Sequence, residues 1–467
     1  MDRRDFIKSL SAGAVAMGAV AACQGGNEVV SEGFAVGEVP TGKMTYRNDN
    51  HGEPVSLLGY GCMRLPTVGG ASGREDNSEL DQEQINRLVD YAIEHGVTLF
   101  DTAPPYCKGR SEHAMGIALS RHQRSEYRVS TKLSNMNSAT WSREASIAMY
   151  RNSMAELKVD YLDFMMLHCI GLAGKDRQGR DVEPMEAFRR RFIDNGMLDF
   201  LLEERRQGRI RNLGFSYHGD VRVFDYLLSR HEECHWDHVL IQHNYVDWNH
   251  AGEGNTDSSR LYASLDALGI PAFVMEPLLG GRLASLPAYA TTMLKQRKPE
   301  ASVASWAMRF AASQPRILTV LSGMTYMEHL QDNIRSYSPF VPLNDDEKTL
   351  LANIADKLVE HSTVPCTGCQ YCMPCPYGID IPGIFAHYNK CIDEGLPDIG
   401  DAASADRRAY KRARRAWLKN FDNAVPPERQ ADHCIACGHC LHECPQRIDI
   451  PARLQEIDLY VEQLKMS

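Results

Sequence analysis

Between about Met44 and Arg335, short apolar runs alternate with longer stretches whose apolar residues recur at helical spacing. The short runs predict strands at Leu57–Gly61, Thr98–Phe100, Arg128–Thr131, Phe164–Leu167, Ile210–Gly214, Val239–Ile241, Ala272–Met275 and Leu318–Leu321. The longer stretches predict helices, among them Asp81–His95, Trp141–Leu157, Phe200–Gln207 and Ala301–Ala312. Eight strands alternating with helices predict an α/β fold, a parallel sheet closed as a (β/α)8 TIM barrel. The competing topology is an open doubly wound sheet, which wants a Gly-rich phosphate turn after its first strand. Leu58-Gly59-Tyr60-Gly61-Cys62-Met63-Arg64 does not fit GxGxxG. A further helix over Asn344–Leu358 leads into a second, mainly α-helical unit. The expected division is residues 44–340 for the barrel and 341–467 for the C-terminal unit.

The chain has 467 residues, too many for one ordinary domain. Its net charge, 51 − 61 = −10, argues against a nucleic-acid backbone as partner. The one basic run, Arg407 to Arg415, has helix-forming composition and reads as a solvated helix face.

The first residues carry paired arginines, Arg3-Arg4, then Phe6, Lys8 and an apolar run from Leu10 to Ala22. That run is too short to span a bilayer and has the layout of a signal peptide over residues 1–23. The paired arginines resemble a twin-arginine export signal. Val20-Ala21-Ala22-Cys23 resembles a lipoprotein cleavage box, which makes Cys23 the expected lipid anchor and the only expected link to a membrane. Residues 24–43 read as a linker. The expected location is outside the cytoplasm, periplasmic or lipid-anchored; a cytoplasmic protein is the alternative.

Chemistry gathers at the strand ends. Asp101 closes one predicted strand with Tyr106 five residues on, Lys132 closes the next, and His168 the one after. Each alone is weak, since a strand-end His or Lys is more often structural. Three consecutive strands delivering them to one rim point to an active site, because such barrels work at the C-terminal ends of their strands. Together with Gly214-Phe215-Ser216, Gln242-His243-Asn244-Tyr245 and Glu276-Pro277-Leu278-Leu279-Gly280-Gly281, they make residues 44–335 resemble the aldo/keto reductases.

That resemblance implies hydride transfer between a nicotinamide cofactor, NADP or NAD, and a small carbonyl or alcohol substrate. It makes Tyr106 the proton donor, Lys132 (held by Asp101) the charge that lowers the Tyr106 pKa, and His168 the group that orients the carbonyl. It assigns the cofactor to Ser216, Gln242, Pro277, Leu278, Gly280, Ser322, Gly323, Asp332 and Asn333. The chain departs from the family twice. Tyr217 stands where an Asn usually follows the Ser, and Gly323 and His329 stand where NADP-preferring members place Lys and Arg.

From Cys366 onward the chain holds nine of its fourteen cysteines. Cys366, Cys369, Cys372 and Cys375 precede Pro376; Cys434, Cys437, Cys440 and Cys444 precede Pro445. Three cysteines at turn spacing plus a fourth before Pro is the arrangement for [4Fe–4S] clusters, the fourth cysteine ligating the other cluster. Two clusters are expected, one on Cys366, Cys369, Cys372 and Cys444, the other on Cys434, Cys437, Cys440 and Cys375. Zinc is the alternative for paired CxxC motifs. The wide helical spacer resembles a helical-type ferredoxin domain. The leading expectation is therefore an oxidoreductase with clusters that relay electrons, to a redox partner protein if not to the barrel. The second is an electron-transfer protein whose barrel is a docking scaffold.

Overall fold

The computed structural model describes residues 38–73, 78–252, 254–359, 363–394, 397 and 407–467. The expected signal peptide, Cys23 and most of the linker lie outside the described residues.

Eight parallel strands close a barrel: β1 (Leu58–Gly61), β2 (Leu99–Asp101), β3 (Arg128–Leu133), β4 (Leu162–Ile170), β5 (Ile210–Tyr217), β6 (His238–Gln242), β7 (Ala272–Met275) and β8 (Ile317–Ser322). Each pairs with its neighbour in sequence, and β8 returns to β1. The α/β barrel is thus the one expected. Several strands run past their apolar stretch. Lys132 pairs in register with Met166, and Leu167 with Phe215, because backbone pairing is indifferent to the polar side chains at these ends.

Period-two alternation decides what faces inward. On β4, Phe164 and Met166 join the interior cluster while Met165 and Leu167 pack outward against the helices. The next inward position is His168. The same parity turns Ser130 and Lys132 inward on β3. The interior also takes His238, whose ring lies 4.6 Å from that of Phe273. Gly214 answers it from β5, since a Cβ there would lie 2.1 Å from the His238 carbonyl oxygen. A hairpin, Tyr46–Asn48 with Pro54–Ser56, sends Val55 into the same interior cluster.

The helix Asp345–Val359 buries Leu351, Ile354 and Leu358 against Leu283 and Trp306 of the barrel. Glu347 on that helix accepts from Arg309 at 2.8 Å, both side chains being buried. The core of the C-terminal unit begins at Val364. Its helices Ile381–Glu394, Arg407–Ala424 and Ile450–Met466 bury Phe385, Trp417, Phe421 and Ile457 together. Tyr410, Trp417 and Phe421 form one buried stripe of the helix carrying the basic run, and Lys411, Arg412 and Arg415 stay exposed, a solvated face as read.

This unit docks over the C-terminal ends of the barrel strands. Gln446 Nε2 donates to Gln242 Oε1 at 2.8 Å, and Asn255 Nδ2 to Gln446 Oε1 at 2.8 Å. Arg64 donates to the Thr367 carbonyl at 3.3 Å. Gly280, at φ +68°, admits that same stretch: a Cβ there would come within 2.7 Å of the Thr367 backbone.

Candidate active site

Asp101, Tyr106, Lys132 and His168 border one cavity of about 510 Å³ at the strand ends. Lys132 Nζ donates to Asp101 Oδ2 at 2.5 Å and to the Thr102 carbonyl at 2.8 Å. Ser130 donates to the other carboxylate oxygen at 2.7 Å. Both charged partners are almost fully buried, so each depends on the other and on these hydrogen bonds to offset lost hydration. Tyr106 lies beyond β2, just before two left-handed residues, Cys107 (φ 49°) and Lys108 (φ 57°). Its ring centroid is 4.6 Å from Lys132 Nζ, and its ring meets that of His168 edge-on at 6.1 Å.

His168 Nδ1 lies 2.6 Å from Ser134 Oγ. When the hydroxyl donates there, the imidazole proton sits on Nε2. Burial holds the His168 pKa well below its ordinary value, with Lys132, His218 and Arg191 adding positive charge nearby. Burial also lowers His218 to about 4, and His238 and His243 to about 3. The unfolded chain binds protons at these four histidines near pH 6.5, whereas the folded chain resists until far lower pH. Stability is therefore full above pH 6.5 and lost as pH falls. At about 1.4 kcal/mol per pH unit per proton, four such groups give a slope of up to ~5 kcal/mol per unit near pH 5. Urea midpoints between pH 7 and 5 should fall accordingly; a flat profile would show the imidazoles already charged in the fold.

Of the expected cofactor residues, Ser216, Pro277, Leu278, Gly280, Ser322, Gly323, Asp332 and Asn333 border the same cavity. Ser322 accepts from Asn333 at 3.0 Å, and Asp332 from Ser302 at 2.6 Å. Gln242 is not on the cavity wall. Its amide donates to Asp247 at 2.6 Å and accepts from Gln446. Tyr217 is also turned away, its hydroxyl facing the Gly219 carbonyl and Thr256.

Several wall residues carried no sequence signal. Arg64 is the cation beside Gly323 and His329, with its stem 3.1 Å from where a Gly323 Cβ would stand. Arg191, buried, donates to the His168 and Cys169 carbonyls and so fixes the end of β4. Thr367, Cys369, Tyr371, Pro445 and Gln446 come from the C-terminal unit. The Thr367 hydroxyl is buried without a hydrogen-bond partner, an atom that a polar ligand in this cavity would satisfy. The lining of this cavity extends from the Lys132–Asp101 pair to His329, Asp332 and Asn333 of helix Met327–Tyr337. A second cavity, of about 1120 Å³, opens between the two units and shares Tyr106, Cys369 and Tyr371 with the first.

The late cysteines fall into two neighbourhoods. Cys372 lies in the field of Cys366, Cys369 and Cys444, with Cys440 as a weaker neighbour. Cys440 lies with Cys434, Cys437 and Cys375. Cys366 Sγ accepts from the backbone N–H of Gly368 at 3.4 Å, a donor that suits a thiolate ligand. Burial pushes the Cys444 thiol up to about 12. Among the described residues no three His, Cys, Asp or Glu side chains are drawn close enough to hold a single ion.

An eight-stranded barrel with an acid–base cluster at its C-terminal mouth defines a class of oxidoreductases, and the family pattern agrees: residues 58–356 match the aldo/keto reductase family, to which the chain belongs. Among curated relatives, the uncharacterized oxidoreductase YqkF of Bacillus subtilis is 25% identical over 308 residues, 60% of this chain and 87% of that one. The NADH-specific methylglyoxal reductase of Escherichia coli is 24% identical over 65% of this chain and 96% of its own. A thermostable aldo-keto reductase solved with the inhibitor epalrestat shares the fold at a TM-score of 0.51 and 21% identity, over 67% of this chain and 100% of that one. The matched segment ends before Cys366.

Proposed function

We propose that the barrel reduces a small carbonyl compound, or oxidises the corresponding alcohol, with NADP or NAD held along the 510 Å³ cavity. The observation that carries this is the buried Lys132–Asp101 pair set against Tyr106 and His168 in one cavity. The chemistry that a reduced nicotinamide held there would supply is hydride for the carbonyl carbon. Tyr106 gives its proton to the carbonyl oxygen, and the Lys132 ammonium stabilises the phenolate left behind. His168, neutral, fixes the angle of the carbonyl, donating from Nε2 in the tautomer where the Ser134 hydroxyl donates to Nδ1. Arg64 and the Thr367 hydroxyl are the groups available for the phosphates.

The C-terminal unit holds two [4Fe–4S] clusters in this reading, one on Cys366, Cys369, Cys372 and Cys444, the other on Cys434, Cys437, Cys440 and Cys375. Repeated CxxCxxC spacing and two separate thiol neighbourhoods support it. The clusters supply one-electron transfer, to a redox partner protein or to the barrel. The paired arginines and Cys23 support export with the clusters already inserted, and an exported reductase must carry its dinucleotide out tightly bound.

The test is an anaerobic titration of the cluster-loaded protein with NADH and then NADPH, nicotinamide absorbance and cluster EPR being followed together and methylglyoxal serving as the first carbonyl probe. About eight irons per chain are expected, with tight dinucleotide binding. Reduced-cluster signals appearing as nicotinamide is consumed would join barrel and clusters in one path. Absence of binding would favour the second reading, an electron-transfer protein whose barrel is a docking scaffold, for which the Cys369 thiol at the barrel mouth is the supporting observation.

A further inference from the structure

Above β5 and β6 the wall of the catalytic cavity is shared between the barrel, through Ser216, His218 and Leu240, and the C-terminal unit. Leu240 pairs in register with Ser216, so Gln242 stands two positions beyond that rung, on the same rim. Its amide is spent on Asp247 and on Gln446. Gln446 is the residue that reaches the cavity, together with Pro445. It is 3% exposed and held at two points. Its Nε2 donates to Gln242 and its Oε1 accepts from Asn255. A primary amide offers two N–H bonds and two carbonyl lone pairs. One of each is used, which leaves one donor and one acceptor on the same amide.

We infer that Gln446, supplied by the cysteine-bearing unit, is a positioning residue of the dinucleotide site and pairs with a primary carboxamide, the donor–acceptor group that nicotinamide presents. This rests on the dinucleotide reading above. Gln446 and Ser216 line the same cavity, and that reading brings the reacting ring to the Ser216 rim. Its place two residues after Cys444, with the Arg447 N–H donating to the Cys444 carbonyl at 3.0 Å, ties its position to that thiol loop.

The experiment compares the cluster-loaded full chain with its Gln446→Leu variant, using two probes, NADH and ADP-ribose. ADP-ribose keeps the adenosine and both phosphates and lacks the nicotinamide. Iron content and cluster absorbance of the variant are measured alongside. The expected result is NADH affinity lowered about tenfold in the variant with ADP-ribose affinity unchanged, the loss that one or two amide hydrogen bonds represent. Reduced 3-acetylpyridine adenine dinucleotide, which lacks the amide N–H group, should lose less than NADH from the same substitution. Equal NADH binding by the two proteins would overturn the inference and leave the dinucleotide site standing. Equal loss of NADH and ADP-ribose would overturn it too, by showing a collapsed wall rather than a lost contact. Failure of the unaltered protein to bind either probe would sink the dinucleotide reading and this inference with it.

Discussion

Replacing Tyr106 by Phe is expected to lower turnover by roughly 10²- to 10⁴-fold, the range that one positioned proton donor contributes. The ring is kept, so its edge contact with His168 and its face toward Lys132 Nζ remain. Only the hydroxyl goes. Dinucleotide affinity should therefore hold within about twofold, and the loss should appear in single-turnover oxidation of bound NADH by methylglyoxal. Loss of dinucleotide binding in step with turnover would assign Tyr106 to the shape of the cavity and not to proton transfer.

Lys132→Met should act on stability as much as on rate. The substitution keeps most of the length of the side chain and deletes its charge, which leaves the Asp101 carboxylate buried with Ser130 as its remaining side-chain donor. An uncompensated buried charge of this kind costs about 3–5 kcal/mol. The urea midpoint should fall by a corresponding amount at neutral pH. The double variant Lys132→Met with Asp101→Leu removes both charges and should recover most of the stability while remaining inactive. A single variant as stable as the parent would show that Asp101 is already satisfied without its lysine.

The barrel was legible because buried parallel strands are short apolar runs, and these stand out between amphipathic helices. The strand ends were less so. Lys132, His168, Ser216 and Ser322 lie inside strands that the apolar pattern closes earlier, since side-chain polarity does not stop a backbone ladder. The Asp101, Tyr106, Lys132 and His168 set was readable from strand order alone: consecutive strands are neighbours, so their ends share a rim. Gln242 shows the limit. It sits where the family resemblance puts it, at the end of its strand, yet its amide is claimed by Gln446 from 204 residues away. No periodicity announces that contact, nor the approach of Thr367 to Gly280. Docking between units depends on matched surfaces, which the order of residues along one segment does not display. Arg64 was overlooked for a related reason, because it follows the first strand while the residues it neighbours follow the eighth.

Thr367, Cys369 and Tyr371, like Pro445 and Gln446, lie on stretches with neither helix nor strand. Such segments have few ladder bonds of their own to keep them in place. On the two-cluster reading, what stiffens them is inorganic. Iron supply then governs the barrel before any electron moves: a chain short of iron keeps its eight strands and its Lys132–Asp101 pair, but the mouth above them loses its second bank. On that reading, nutritional scarcity of one metal would silence the hydride chemistry as well, and the two halves of the chain would fail together although only one of them had gone unfed.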